Sequence, residues 1–364
     1  MKINSLRLTN YRNYLNLDLD LNEKINVIYG NNGQGKTNLV EAIAYLSTLK
    51  SFRMHKDSVL INKNALFFEI EANIEAFGRK TLLGCRLTSK EKNKFINGNE
   101  VERNSDFIGI LNTICFTSND VWMFKDISQR RYFIDSELSK ISPSYCYSLN
   151  KYQKLLKERN EFLKQKKIDE LYLKVLTKAI AEESFLIINK RKEFISKLNE
   201  ELSKTFKQLS DDNFKLDVNY QTSFSNVNSV KDIYEKYEKN FEKDILKQVT
   251  QIGVHLDDVQ VKINGEDIQV FGSQGQQRLA AIALKLSLVK VVERRSGEKP
   301  IIIFDDMMSD LDENKRKRLL SSLSQDMQVF ITTANVTDIE GFINILDATY
   351  YLIEQGSVVD IERK

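Results

Sequence analysis

Apolar and polar residues alternate over Lys2–Leu8, and again where Leu15, Leu17, Leu19 and Leu21 are separated by Asn16, Asp18 and Asp20. A period of two puts one row of side chains on a single face, so both segments are expected to be half-buried strands. Ile25-Asn26-Val27-Ile28-Tyr29 reads as a third strand running into Gly30. Leu39, Ala42, Ile43 and Leu46 then recur at helical spacing, which predicts a helix over 38–49. Leu66–Val101 reads as antiparallel strands with a tight turn at Asn97-Gly98, a pair suited to two-residue hairpins.

Beyond Cys115-Phe116 the period changes. Tyr152, Leu155, Leu156, Arg159, Phe162 and Leu163 mark one amphipathic helix, and Leu176, Ile180, Ile187, Phe194, Leu198 and Leu202 a longer one. No glycine occurs between Gly109 and Gly253, and Pro143 is the only proline there, as a helical region requires. Strand patterning returns at Val259–Ile263, followed by a turn at Asn264-Gly265 and a second strand-like run, Ile268-Gln269-Val270. A helix is expected over Gln276–Val292. The continuous apolar runs Pro300–Phe304 and Val329–Thr332 fit buried parallel strands. Strand material at both ends with helices between predicts one α/β head built from both chain ends and carrying an inserted helical lobe. Its parts are 1–120 and 246–364 for the head and 121–245 for the lobe.

Composition narrows the function classes. The 364 residues are 41% hydrophobic, enough for a substantial core, with 54 basic against 51 acidic residues and a formal charge of +3. No global basic field announces a nucleic acid, so such a partner rests on local patches. Lys151–Ser210 is one, with 15 basic against 9 acidic residues. Its Lys151, Lys154, Lys157, Lys164, Lys166, Lys167, Lys190, Arg191 and Lys192 are candidate DNA contacts, as are Arg53, Arg130 and Arg131. Cys85, Cys115 and Cys146 form no C-x-x-C pair, which excludes a disulfide framework or zinc ribbon and fits a reducing compartment. His55 and His255 are the only histidines, too few for a multi-histidine metal site. The first residues carry no apolar signal core, and no run approaches the roughly 18 apolar residues of a membrane span. A cytoplasmic protein without a membrane partner is expected.

The chemistry concentrates in three places. Gly30-Asn31-Asn32-Gly33-Gln34-Gly35-Lys36-Thr37 matches G-x-x-x-x-G-K-[ST], the loop whose backbone N–H groups cradle phosphates ahead of a helix N-terminus. Lys36 would reach the β- and γ-phosphates of ATP and Thr37 would place its hydroxyl on Mg²⁺. Ile301–Asp306 is an apolar strand ending in two acids: Asp305 would hold Mg²⁺ through water, and Asp306 would orient or deprotonate an attacking water. Ser273-Gln274-Gly275-Gln276 opens another helix. Alone, Ser273 reads as an ordinary N-cap. Its position 29 to 32 residues ahead of Asp305, counted from Gln276 and Ser273, favours a third nucleotide element.

Together these motifs resemble the ABC-type ATPases, with Gly30–Thr37 as Walker A, Ser273–Gln276 as signature, Asp305-Asp306 as Walker B and Ser309–Asp312 as D-loop. Within that class the chain resembles the RecF family over essentially its whole length. The matching segments are Asn10–Tyr14, Gly35–Ile43, Lys50–Arg53, Arg130–Asp135 and Phe271–Arg278. It departs from the family pattern at Thr117–Asp120, at Lys125-Asp126-Ile127, at Gly253–Asp258 (with Leu256 in place of arginine), and at Asp310. Neither a Gln loop nor a switch histidine is evident; Thr333-Ala334-Asn335 stand where the histidine would be. The resemblance implies that Ser273 and the helix start at Gly275 and Gln276 face the nucleotide of a second subunit. It further implies an ATP-dependent homodimer on single-stranded, gapped or linear duplex DNA and a slow, DNA-stimulated ATPase with Lys36, Asp306 and Ser273 in catalytic roles. RecR and RecO would be partners and recombinase loading the outcome. A transporter ATPase subunit is disfavoured by the 236 residues separating Thr37 from Ser273. A long-armed cohesin-like or defence ATPase is disfavoured because some 60 residues make a hairpin of at most ~45 Å.

Overall fold

A computed structural model describes residues 1–54, 56–165, 169–209, 214–324, 326–340 and 347–363. Lys166, Lys167 and His55 lie outside them. The strands are, in chain order, β1 (Lys2–Tyr11), β2 (Tyr14–Asp20), β3 (Ile25–Tyr29), β4 (Phe67–Ala76), β5 (Arg79–Thr88), β6 (Lys92–Ile96), β7 (Asn99–Glu100), β8 (Thr113–Thr117), β9 (Leu216–Gln221), β10 (Asp258–Ile263), β11 (Glu266–Asp267), β12 (Ile301–Asp305), β13 (Val329–Thr333), β14 (Ala348–Glu354) and β15 (Ser357–Arg363). Two compact units form. The first contains Met1–Asp120, Lys204–Asn213 and Arg278–Lys364, and the second Val121–Ser203 and Phe214–Gln277.

The first unit has two six-stranded sheets. One is antiparallel, in the order β2-β1-β4-β5-β6-β7. Its register pairs Leu6 with Leu19 and Leu8 with Leu17, so these four leucines share one buried face, but Leu15, expected in the same row, is 59% exposed at the start of β2. Its hairpin turn at Asn97-Gly98 has φ of 52° and 79°, the left-handed pair that a tight turn demands. The other sheet has the order β15-β14-β3-β13-β12-β8, and every neighbouring pair except β14–β15 is parallel. The helix Lys36–Thr48 is buried along nearly its whole length. Its Leu39, Ala42, Ile43 and Leu46 join Leu6 and Leu8 of one sheet and Ile28, Ile303 and Phe330 of the other in a single core. Parallel register aligns the C-terminal strand ends: Asp305 lies opposite Thr332 and Thr117, and Thr333 opposite Tyr29. Ligands of open α/β sheets bind at that edge.

The second unit combines the helices Ile127–Ile141 and Pro143–Phe162 and most of Glu170–Leu209 with a sheet ordered β11-β10-β9. Residues 246–277, grouped by their pattern with the head, belong to this unit because β10 pairs with β9 on one side and β11 on the other. Ile268–Phe271 is a helical turn and not a strand. Asp267 caps it by accepting the Gln269 N–H, and Gln277 Nε2 donates to its Ile268 carbonyl at 3.2 Å. Three alternating residues were too few to separate the two states. Glu170–Leu209 runs 40 residues, about 60 Å, and so outreaches the even hairpin expected of the arm.

The largest correction concerns arginines taken as DNA candidates. Arg191 is 1% exposed and fully engaged, with Asp135 at 2.9 Å, Asp257 at 3.2 Å and the Val254 carbonyl at 2.9 Å. Arg130 grips Asp258 through two bonds of 2.8 and 2.9 Å and donates to the Phe124 carbonyl. Arg131 donates to the Asp257 carbonyl. Arg191 and Arg130 are buried guanidiniums with donors spent on protein and cannot reach a phosphate, whereas Arg131 is half-buried. The pair Arg130-Arg131 is a clamp inside the second unit, where it holds the Gly253–Asp258 segment.

A candidate nucleotide site at the parallel strand ends

The loop after β3 gets its shape from its glycines and from residues distant in sequence. Gly30 sits at φ 144°, and a Cβ there would lie 2.4 Å from the Ile353 carbonyl oxygen. Gly35 is at φ 121°, against the Asn13 side chain. Asn13 Nδ2 donates to the Gln34 carbonyl at 2.8 Å, and Gly356 N–H donates to the same oxygen at 2.9 Å. The Gln355 N–H reaches Gln34 Oε1 at 2.7 Å, and Tyr14 donates to the Gly35 carbonyl. Three of the loop's outward acceptors are thus satisfied by the β1–β2 and β14–β15 turns.

The helix that follows is pinned from one side. Asn38 donates to Asn13 Oδ1 at 2.7 Å and accepts from Arg53 at 3.2 Å. Arg12 holds the wholly buried Glu41 through two bonds of 2.9 Å, and Ser51 donates to the same carboxylate. The segments Asn10–Tyr14 and Lys50–Arg53 therefore act as braces of the loop and its helix. Arg53, a DNA candidate by sequence, stands beside Asn38 with its charge acting on Asp305.

Lys36, although 4% exposed, donates to the Gly30 and Asn31 carbonyls at 2.8 and 3.1 Å and so lies folded over the loop. Thr37 Oγ1 donates to Asp305 Oδ1 at 2.8 Å, joining residues 268 positions apart. Thr332 Oγ1 donates to that oxygen at 2.8 Å and accepts the Asp306 N–H at 2.9 Å. Burial raises the Asp305 carboxyl, hydrogen bonds from Thr37 and Thr332 pull it back, and Asp306 and Arg53 act in opposite senses. Asp306 itself has φ 48°, in the left-handed region.

Gly30, Asn31, Asn32, Gly33, Gln34, Gly35, Lys36 and Thr37 thus converge with Asp305 and Asp306. Ser273, Gly275 and Gln276 belong to the second unit. There Ser273 Oγ accepts the Gln276 N–H at 3.2 Å, and Gln276 Oε1 accepts the Ser273 N–H at 2.8 Å, a reciprocal cap on the helix Gln274–Ser296. Ser273 and Gly275 are exposed.

A glycine loop ahead of a helix N-terminus, a lysine and a hard-oxygen pair, Thr37 and Asp305, suit a nucleoside triphosphate with Mg²⁺. Among the described residues no three histidine, cysteine, aspartate or glutamate side chains cluster as a metal site. Thr332, Asn13, Asn38 and the Gln355-Gly356 turn carry no motif of their own and were not identified from sequence. Only Asn13 and Asn38 lay in segments matching the family.

The RecF/RecN/SMC N terminal domain model matches residues 2–352. Two relatives called "DNA replication and repair protein RecF" are each 37% identical: that of Shouchella clausii over 100% of both chains, and that of Staphylococcus carnosus over 99% of this chain and 100% of its own. A solved structure described as the recombination mediator protein RecF-ATP in the RecFOR pathway superposes with a TM-score of 0.90 at 31% identity, covering 99% of this chain and 97% of that one. The chain therefore belongs to the RecF/RecN/SMC N-terminal-domain family and carries its ABC-type ATPase head fold.

Proposed function

We propose that this member of the RecF/RecN/SMC N-terminal-domain family is an ATP-dependent DNA-binding protein of DNA replication and recombinational repair. ATP with Mg²⁺ controls its pairing into a homodimer on DNA. The observation that carries this reading is the closure of Thr37 on Asp305 beside the glycine loop. The full-length likeness to proteins named for replication and repair, and to a recombination mediator solved with ATP, supports the biological role.

Bound ATP and Mg²⁺ would supply a γ-phosphate whose hydrolysis removes charge-assisted hydrogen bonds. Lys36 would exchange its two loop carbonyls for the β- and γ-phosphates. Thr37 and Asp305 would hold the cation, and Asp306 would orient the attacking water. Arg53, held beside Asn38, is a further cation within the loop's surroundings. Ser273 and the helix start at Gly275 and Gln276 would face the nucleotide of the second copy, so neither copy alone completes a site. Asp306 is one methylene shorter than a glutamate, which favours slow turnover and a timer's role. Gapped or linear duplex and single-stranded DNA are the proposed nucleic-acid partners, and RecR and RecO the protein partners. Recombinase loading in the cytoplasm is the outcome. Among the described residues no helix is long and apolar enough to cross a membrane, and no membrane partner is proposed.

Light scattering decides the central point. Adding ATP and Mg²⁺ should convert monomer to dimer, at lower protein concentration when gapped duplex is present. Lys36→Ala, lacking the phosphate cation, should stay monomeric. A wild-type chain that remains monomeric under saturating ATP and gapped DNA refutes the switch.

A further inference from the structure

We propose that Thr332 is a positioning residue of the nucleotide site, a single hydroxyl that sets both acids at the end of β12; this rests on the ATP reading above. Thr332 lies on β13, directly opposite Asp305 in the parallel register, and is 1% exposed. Its Oγ1 donates to Asp305 Oδ1 at 2.8 Å and accepts the Asp306 N–H at 2.9 Å. A hydroxyl carries one donor and two acceptor lone pairs, so both bonds form at once. Valine keeps the shape and loses both bonds, and a thiol of similar size makes both only weakly.

The two bonds have different consequences. The first holds the Asp305 carboxylate from the side of β13, while Thr37 holds the same oxygen from the loop. When Thr37 turns its oxygen to a cation, Thr332 stays in place, because its own backbone is locked in the sheet. The second bond fixes the Asp306 backbone at φ 48°, a left-handed conformation that aspartate visits more readily than most residues and that this bond selects here. A relaxed Asp306 would carry its carboxylate elsewhere, because a change in φ rotates the whole side chain about the backbone. Thr332 therefore couples the residue proposed to hold Mg²⁺ to the residue proposed to aim water. The same strand then runs into Thr333-Ala334-Asn335, where Thr333 Oγ1 donates to the Asn335 carbonyl at 2.9 Å, so its own hydroxyl is used in the turn and not at the acids.

The test compares Thr332→Val with Thr332→Ser in the full chain. A fluorescent ATP analogue is titrated with and without Mg²⁺, and ATP turnover is resolved into kcat and KM. Partners that orient metal ligands typically change metal affinity or activity by about 10- to 100-fold. Thr332→Val should bind nucleotide like wild type without Mg²⁺, require about tenfold more Mg²⁺ for its effect on binding, and lose about tenfold or more in kcat. Thr332→Ser, which keeps the hydroxyl, should restore both. A folded Thr332→Val with the wild-type Mg²⁺ requirement and kcat overturns the assignment, and so does a serine variant as impaired as the valine one. Should Thr332→Val not be recovered folded, Thr332→Cys, a weaker donor of similar size, carries the same comparison with serine. Failure of the ATP reading looks different: wild type itself would then bind no nucleotide, or Lys36→Ala would bind it equally well.

Discussion

Replacing Gly356 with alanine tests whether the β14–β15 hairpin shapes the phosphate loop, where Gln355 reaches Gln34 across 321 positions. Gly356 has φ 75°, and an added Cβ would lie 2.3 Å from the Asn13 carbonyl oxygen and 2.8 Å from its carbon. Both are backbone atoms, so the contact is relieved only by moving the turn. A left-handed alanine costs about 1–2 kcal/mol, and losing the Gly356 N–H bond to the Gln34 carbonyl costs about 1 kcal/mol more. The expected destabilisation is roughly 2–3 kcal/mol. Gly98→Ala is the matched control, since that glycine has φ 79° with nothing within 4 Å of its virtual Cβ. It bears the conformational cost alone. Denaturant midpoints of the two variants separate backbone strain from collision with Asn13, and ATP titration shows whether the loop feels it. Gly356→Ala should weaken ATP binding about tenfold, which is ~1.4 kcal/mol, while Gly98→Ala leaves it unchanged. Equal midpoints for the two variants, or unaltered ATP affinity in Gly356→Ala, would refute the bracing of the loop by the hairpin.

Asp306→Asn should keep ATP binding, slow turnover about a hundredfold and accumulate an ATP-bound dimer by light scattering; asparagine tolerates the left-handed backbone at this position, so faster turnover would sink the role given to the carboxylate. The second prediction concerns acid. Burial, with Arg131, Arg159 and Arg191 nearby, lowers His255 to about 4 against an ordinary 6.5. Its contribution to stability is therefore complete above pH 6.5 and is lost as pH falls from there toward 4, because the unfolded chain takes the proton first. By pH 5 the loss is about 2 kcal/mol, and wild type should lose that much more than His255→Gln between pH 7.5 and 5 in denaturant titrations; parallel slopes would count against a buried neutral His255.

What could be seen in the sequence was what is local. The glycine spacing of Gly30–Thr37 and the apolar run ending at Asp305 are chain-adjacent patterns, and parallel register then brings them together at one sheet edge. The braces were invisible because they act through register. Asn13, Thr332 and Gly356 are ordinary turn or strand residues until β1, β13 and β14–β15 are placed. The arginines failed for a related reason. A basic excess over 151–210 counts charges, but burial of Arg191 depends on Asp135 and Asp257, and the field of Lys151 is spent on Glu183 at 2.6 Å. Lys154, Lys157, Lys164 and Lys192 remain exposed on the arm, a smaller patch than the tally suggested.

The serine before the helix Gln274–Ser296 admits two readings, a cap and a phosphate contact, and the hydrogen bonds reconcile them. As a cap, Ser273 Oγ uses a lone pair to accept the Gln276 N–H. Accepting leaves the hydroxyl proton available, and that proton is what a γ-phosphate oxygen would need. The return bond from the Ser273 N–H to Gln276 Oε1 fixes the backbone on which the hydroxyl stands. Gly275 meets nothing nearer than Ser273 Oγ itself, 4.0 Å from a virtual Cβ, so the helix start stays bare on that side. Gln277 ties the preceding turn down by donating to the Gly272 carbonyl at 3.0 Å. A cap built in this way does not compete with an anion. It holds the oxygen at an exposed helix start, where the dipole favours negative charge, and leaves the hydroxyl proton free to rotate.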